Sequence, residues 1–184
     1  MATVLAADHP ATQSWIISGM SGTVSISIPG KHETALPESK TGDHLFTPFA
    51  VKTGDTGSLT LTHGEDHVSI GPNANLQFPV TDNAAADNAV QIDQNMGSVL
   101  YKVEHRKQRT FSVETPYLVS VVKGTVFTIT TSSEESTVAL MDGSLQVLTT
   151  DKEQELLLEP GQVAVKVRNG QQIQLLDEQK VENR

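Results

Sequence analysis

The feature that most constrains this chain is a side-chain period of two, broken at intervals by glycine. Thr23-Val-Ser-Ile-Ser-Ile28, Ser58-Leu-Thr-Leu-Thr62, Val163-Ala-Val-Lys-Val167 and Gln172-Ile-Gln-Leu-Leu176 all show it. Alternation of this kind turns one set of side chains to a core and the other to water, as a half-buried strand requires. The abundance of Val and Thr suits a pleated surface for the same reason. New stretches open on glycine followed by Ser or Thr and then Val or Leu: Gly22-Thr-Val, Gly57-Ser-Leu, Gly97-Ser-Val, Gly124-Thr-Val and Gly143-Ser-Leu, with looser copies at Gly161 and Gly170. Each reads as a turn glycine launching a strand. Their spacing is irregular, so no strict short repeat is present. No window of a dozen residues carries a helical period, and the best helical fragment, Ala84-Ala-Ala-Asp87, sits in a loop-like segment. The expectation is an all-β single domain, either a twisted antiparallel β-sandwich or an irregular β-solenoid.

At 184 residues the chain is long enough to bury a core without staples, and it has no cysteine. Disulfide scaffolds, thiol catalysis and Cys-type zinc sites are thereby excluded. A formal charge of −9 argues against nucleic-acid binding, which draws its affinity from neutralising phosphates. No apolar run approaches the roughly 18 residues of a membrane-spanning helix. Residues 1–14 read as a leader, either the remnant of a secretory signal or a disordered segment. The β domain is expected over 15–176 and a charged tail over 177–184.

Turn signals add local detail. Asp142-Gly143, between Thr137–Met141 and Ser144–Leu148, predicts a two-residue hairpin. Glu159-Pro-Gly161 predicts a tight turn, and Gly71-Pro72-Asn73 closes the strand ending at Ile70. The segment from Pro79 to Ala89 reads as a loop within the domain.

An ordered succession of motifs resembles the FecR-domain family. Phe111-Ser-Val-Glu-Thr-Pro116 followed by Val121-Val-Lys-Gly-Thr-Val-Phe127 is similar to the family's Thr-Pro bend and its Arg-Gly-Thr-x-Phe run. Val138-Ala-Leu-Met-Asp-Gly-Ser-Leu-Gln-Val147 resembles its Gly-x-Val-x-Val segment, and Leu158-Glu-Pro-Gly-Gln162 its closing Pro-Gly-Gln turn. The resemblance runs from about Gly19 to Val167. Lys123 departs from the family's usual Arg and Val126 from its acidic or polar residue, and a Lys cannot reproduce a bidentate guanidinium contact. The resemblance implies a periplasmic or secreted, twisted β domain. In the best-known branch such domains relay a receptor's signal to a sigma factor, using a membrane helix and a helical head that are not found in this sequence.

Candidate chemistry is sparse. His63-Gly-Glu-Asp-His67 groups two imidazoles and two carboxylates, but its flanking strands place it on a hairpin tip, where a solvated turn uses the same residues. Asp82, Asn83, Asp87 and Asn88 offer oxygen ligands without the EF-hand order. Asp43, Asp55, Glu65 and Asp66 supply carboxylates without the aromatic platforms of a sugar site, and no Gly-x-Ser-x-Gly occurs. These observations predict no enzyme, no metal and no cofactor.

Strand edges are the more physical source of function, because an open edge can accept a partner's strand. Ser98–Glu104 is the expected edge, with Tyr101 and the basic patch Arg106, Lys107 and Arg109 docking a protein or cell-envelope partner. Two other functions remain open: a regulatory sensor domain of a sigma/anti-sigma system, and a small carbohydrate- or cation-binding module.

Overall fold

The computed structural model describes residues 13–29, 40–81, 89–105 and 110–177, and among these every regular element is a β-strand. Sixteen strands form two open layers. The first contains β1 (Ser14–Ser21), β3 (His44–Phe46), β5 (Ser58–His63), β6 (Asp66–Ile70), the second half of β8 (Ala89–Val103), β11 (Thr125–Thr131), β12 (Glu135–Asp142), β15 (Gln162–Val167) and β16 (Gln174–Asp177), in the order β3-β1-β5-β6-β8-β11-β12-β15-β16. The second contains β2 (Val24–Ser27), β4 (Phe49–Thr53), β7 (Asn75–Phe78), the first half of β8, β9 (Thr110–Glu114), β10 (Leu118–Val122), β13 (Leu145–Thr149) and β14 (Glu155–Leu158), in the order β2-β4-β7-β8-β9-β10-β13-β14. All neighbouring strands are antiparallel except β8 and β9, which pair in parallel. From β9 onward the chain lays hairpins alternately into the two layers, which resolves the choice between sandwich and solenoid as a sandwich wound hairpin by hairpin.

The alternation seen in the sequence is the packing pattern. β13 reads buried, half-buried, buried along its length, and β4, β6 and β10 repeat the rhythm. Inward side chains of both layers join one core, where each fully buried Leu, Ile or Phe contributes roughly 1.5–3 kcal/mol. Aromatic rings stitch the layers together. Trp15 of β1 meets Phe78 of β7 edge-on at 5.2 Å, and Tyr101 of β8 meets Phe111 of β9 at 6.3 Å. Phe49 stacks on Phe78 at 4.4 Å, and Tyr101 on Phe127 at 5.0 Å.

β8 belongs to both layers. Ala89 to Met96 pair with β7 and β9, whereas Gly97 to Val103 pair with β6 and β11. The strand changes layer at a bulge, where Asn75 faces Met96 but Leu76 faces Gln94, leaving Asn95 over. Gly97 follows at φ +100°, and a Cβ there would lie 2.5 Å from the Ala74 Cβ, so only glycine fits. Gln94, fully buried, locks the crossing: its amide donates to the carbonyls of Gly97 and Ile129 at 2.9 and 3.0 Å and accepts from the Tyr101 hydroxyl at 2.8 Å.

Other motif glycines also stand where the chain changes layer: Gly22 between β1 and β2, Gly57 before β5, Gly124 before β11, Gly143 before β13 and Gly161 before β15. Gly124 and Gly143 approach so closely that a Cβ on Gly143 would sit 2.4 Å from the Gly124 carbonyl oxygen. The hairpin expected at Asp142-Gly143 is therefore corrected. β12 pairs with β11 and β15, and β13 with β10 and β14, so the two strands flanking this turn never meet. Asp142 lacks the positive φ that the tight hairpin turn demands, and the dipeptide instead carries the chain between layers. The turn expected at Glu159-Pro-Gly161 is present, closed by the Gln162 amide donating to the Glu159 carbonyl at 3.0 Å.

Candidate functional site

The edge expected at Ser98–Glu104 lies in the middle of its layer, with β6 on one side and β11 on the other. Tyr101 is a core residue, fully buried between the layers, and burial raises its pKa well above the ordinary value of 10.0. Its assignment to partner binding is corrected, because alternation turns Val99, Tyr101 and Val103 inward and Ser98, Leu100 and Lys102 outward. Arg106, Lys107 and Arg109 lie outside the described residues. His105, just before them, donates from Nδ1 to the Lys123 carbonyl at 2.9 Å. The family motif Lys123-Gly124-Thr125 is thus seated against the end of β8.

The hairpin tip at His63–His67 is as expected, with β5 and β6 meeting there in antiparallel register. Its two imidazoles face opposite sides of the layer. His63 turns inward, its ring 5.1 Å from that of Trp15 and its Nδ1–H donated to the Ser14 carbonyl at 2.7 Å. His67 is exposed on the outer face beside Lys102. Asp66 is buried and its Oδ1 accepts the Glu104 amide at 3.0 Å, tying the tip to the end of β8. Among the described residues, no group of three or more His, Asp or Glu side chains is placed to hold a metal ion. The Asp82–Asn88 loop lies outside the described residues.

Two open clefts mark the outer face and rim of the second layer. One, of about 470 Å³, is apolar and bordered by Pro29, Pro48 and Pro79 over Phe49 and Phe78. The other, of about 440 Å³, is polar, with Asp93 and Glu114 side by side on the parallel β8–β9 pair. Thr115, which also borders it, is occupied locally: its hydroxyl accepts the Leu118 amide at 2.9 Å, building the bend of the Thr-Pro motif.

The least protected surface is an edge that the sequence reading passed over. Among the described residues β16 ends the first layer and pairs with β15 alone. Leu175 faces the core side, opposite the buried Ala164, yet is 48% exposed; Leu176, on the outer face, is 52% exposed. Leu157 of β14, which ends the second layer, is 67% exposed. Gln154 links the two ends, its Oε1 accepting the Ile173 amide at 2.8 Å and its Nε2 donating to the Gln171 carbonyl at 2.7 Å. The signal available in the sequence was the Leu175-Leu176 doublet, which breaks alternation by making both faces apolar.

Comparison with known proteins bears on this architecture. No curated protein matches the chain in sequence. Two crystal structures, each described as a "putative anti-sigma factor" from Parabacteroides distasonis ATCC 8503, share its fold at a TM-score of 0.61, with 17% and 16% identity. The alignment covers 72% of this chain and 62% of each of those chains. The family model described as FecR protein matches residues 49–146, from the start of β4 into β13. That span holds the bulged β8, the Thr-Pro bend and the Gly124–Gly143 contact, and it covers more than half of the sequence: the chain belongs to the FecR family.

Proposed function

We propose that this FecR-family chain is a non-enzymatic recognition module that works outside the cytoplasm and binds a protein or cell-envelope partner through an open strand edge. The observation that carries the reading is that, among the described residues, both layers end in strands with a neighbour on one side and apolar side chains in water, Phe46 on β3, Leu157 on β14 and Leu175 and Leu176 on β16. Unpaired N–H and C=O groups beside exposed apolar side chains are what strand addition uses. The test is to place a photo-crosslinking side chain at 46, 100, 157 or 176 in turn and to irradiate cells that make the protein. The reading expects a discrete adduct with another protein from an edge position and none from Leu100 in mid-layer. Equal labelling at all four positions would overturn it. The basic segment Arg106, Lys107 and Arg109 is a second contact under the same reading, and reversing the three charges to Glu should reduce the yield of that adduct.

A narrower reading places the module in sigma/anti-sigma signalling. It is supported by the family and by the likeness to structures described as an anti-sigma factor. Deleting the chain should then change transcription from a sigma-dependent reporter in its native cell.

A further inference from the structure

The outer faces of the two layers differ in charge, and the difference names an occupant for one of them. We infer that the face formed by the second half of β8 with β11, β12 and β15 is where two copies of this chain meet, sheet against sheet, about a two-fold axis. The inference goes beyond the recognition reading and does not depend on it, since a strand added at a layer edge leaves this face free.

Alternation and register fix what each face carries. On the second layer, Asp93, Glu114 and Glu155 fall in one outward cross-strand row. Two copies of net charge −9 would repel each other there. On the first layer, the outward residues of β12 and β15 are largely apolar: Ala139 and Met141, then Val163, Val165 and Val167. Met141 is 56% exposed. Among the described residues of these four strands, the outward charged side chains are Lys102, Glu135 and, where β12 leaves for the other layer, Asp142. An exposed apolar patch with a polar rim marks an interaction surface.

Lys102 and Glu135 set the orientation. They sit at opposite corners of the face, Lys102 across from Val126 and Glu135 across from Val167, with β11 between their strands. The register separates them by about 20 Å along the strands and about 10 Å across them. Among the described residues neither takes part in an ion pair. The Glu135 corner stays net negative, because Glu134 and Arg168 beside it pair with each other at 3.6 Å. A two-fold contact brings residue i of one copy to residue j of the other, and j to i at the same time. One axis, crossing the middle of this diagonal between the two sheets, therefore joins Lys102 of each copy to Glu135 of the other. Ala139 and Val163 fall close to that axis and meet their own counterparts, giving an apolar centre inside a charged rim. Four strands about 4.8 Å apart, each roughly seven residues long, make a face of roughly 20 by 24 Å. Two such faces hide on the order of 1,000 Å², the lower limit for a specific interface, so the dimer is weak and depends on concentration.

The experiment is sedimentation equilibrium of the full chain over a range of concentrations. The expected result is a reversible monomer–dimer equilibrium. Ala139→Lys sets like charges against each other at the axis and should leave only monomer. Lys102→Glu and Glu135→Lys should each weaken the dimer by about tenfold, and the double variant should return it to within about threefold of the wild type. Glu114→Lys on the other layer is the control and should stay within about twofold of the wild type. Unchanged far-ultraviolet dichroism shows that each variant is folded. Monomer alone at millimolar chain, or a dimer that Ala139→Lys leaves intact, would overturn the inference. A double variant no better than the single ones would overturn it too, since the two corners would then not face each other. In cells, a photo-crosslinking side chain at Leu100 should join two copies of this chain and no other protein. That adduct is told apart by its composition from a partner adduct at an edge, so either reading can fail while the other stands.

Discussion

Tyr101 and Gln94 lie on the same strand, seven residues apart, and are joined by a 2.8 Å hydrogen bond that spans the point where β8 passes from one layer to the other. The hydroxyl donates and the amide oxygen accepts, while the amide nitrogen is already committed to Gly97 and Ile129. Tyr101→Phe keeps the ring stacked on Phe127 but leaves the Gln94 oxygen buried without its donor. The expected loss is about 1–3 kcal/mol, measured as a lower urea midpoint.

The same hydroxyl gives an alkaline signature. Burial raises the folded pKa of Tyr101 above 10.0, whereas the unfolded phenol ionises near that value. The unfolded state therefore gives up its proton first. The stability this group contributes is complete below about pH 10 and is lost as pH climbs from there toward the folded pKa. Melting temperature against pH should fall less steeply above pH 10 in Tyr101→Phe than in the wild type.

Gly97 and Gly161 separate backbone conformation from crowding. Both have positive φ, +100° and +88°, but a Cβ at 161 meets nothing within 4 Å, whereas one at 97 would strike Ala74. Gly161→Ala should cost about 1 kcal/mol from conformation alone. Gly97→Ala should cost at least about 2 kcal/mol, because the displaced neighbour is packed core. Equal shifts in denaturation midpoint would show that the layer crossing is softer than its geometry.

Asp151 builds the turn between β13 and β14. Its Oδ1 accepts the Thr149 hydroxyl and, at 3.0 Å, the Glu153 amide, and these bonds lower its pKa below 3.8. A depressed carboxylate stabilises the fold above its unfolded pKa and ceases to do so as pH falls through the folded value. Asp151→Asn should lower the melting temperature slightly at neutral pH, and the difference from the wild type should shrink below pH 4, where the carboxyl takes up its proton. A carboxylate titration by nuclear magnetic resonance would read the shift directly.

Zinc should not stabilise this protein through its histidine pair. His63 points to the core and His67 to water, so the layer itself separates the two nitrogens. Addition of zinc at a few equivalents should leave the melting temperature unmoved; a rise that His67→Ala abolished would refute the assignment, since a ligand of the native state must stabilise it.

Most of the strand content was legible because alternation and burial are the same fact seen twice. Val163-Ala-Val-Lys-Val167 and Ser58-Leu-Thr-Leu-Thr62 became β15 and β5 with few changes at their ends. The glycine motif was legible as punctuation, but its meaning was not. Gly143 reads locally as the corner of a hairpin and acts as a bridge between layers, because pairing depends on which distant strand offers a free edge. Tyr101 was misread for a related reason. A basic stretch follows β8 in the sequence, as it would follow an edge strand, and only the register of β6 and β11 reveals that β8 is central. The site at β16 needed the layer order as well, since a Leu-Leu pair says nothing of exposure until its strand is found to be outermost.

Because β8 is shared by both layers, neither half can come apart by itself. Peeling β6 or β11 from one end of this strand would slacken the Gln94 anchor that holds the other end in register. Melting should accordingly be a single event, with amides of Ile92 and Val99, in different layers, exchanging on one common timescale.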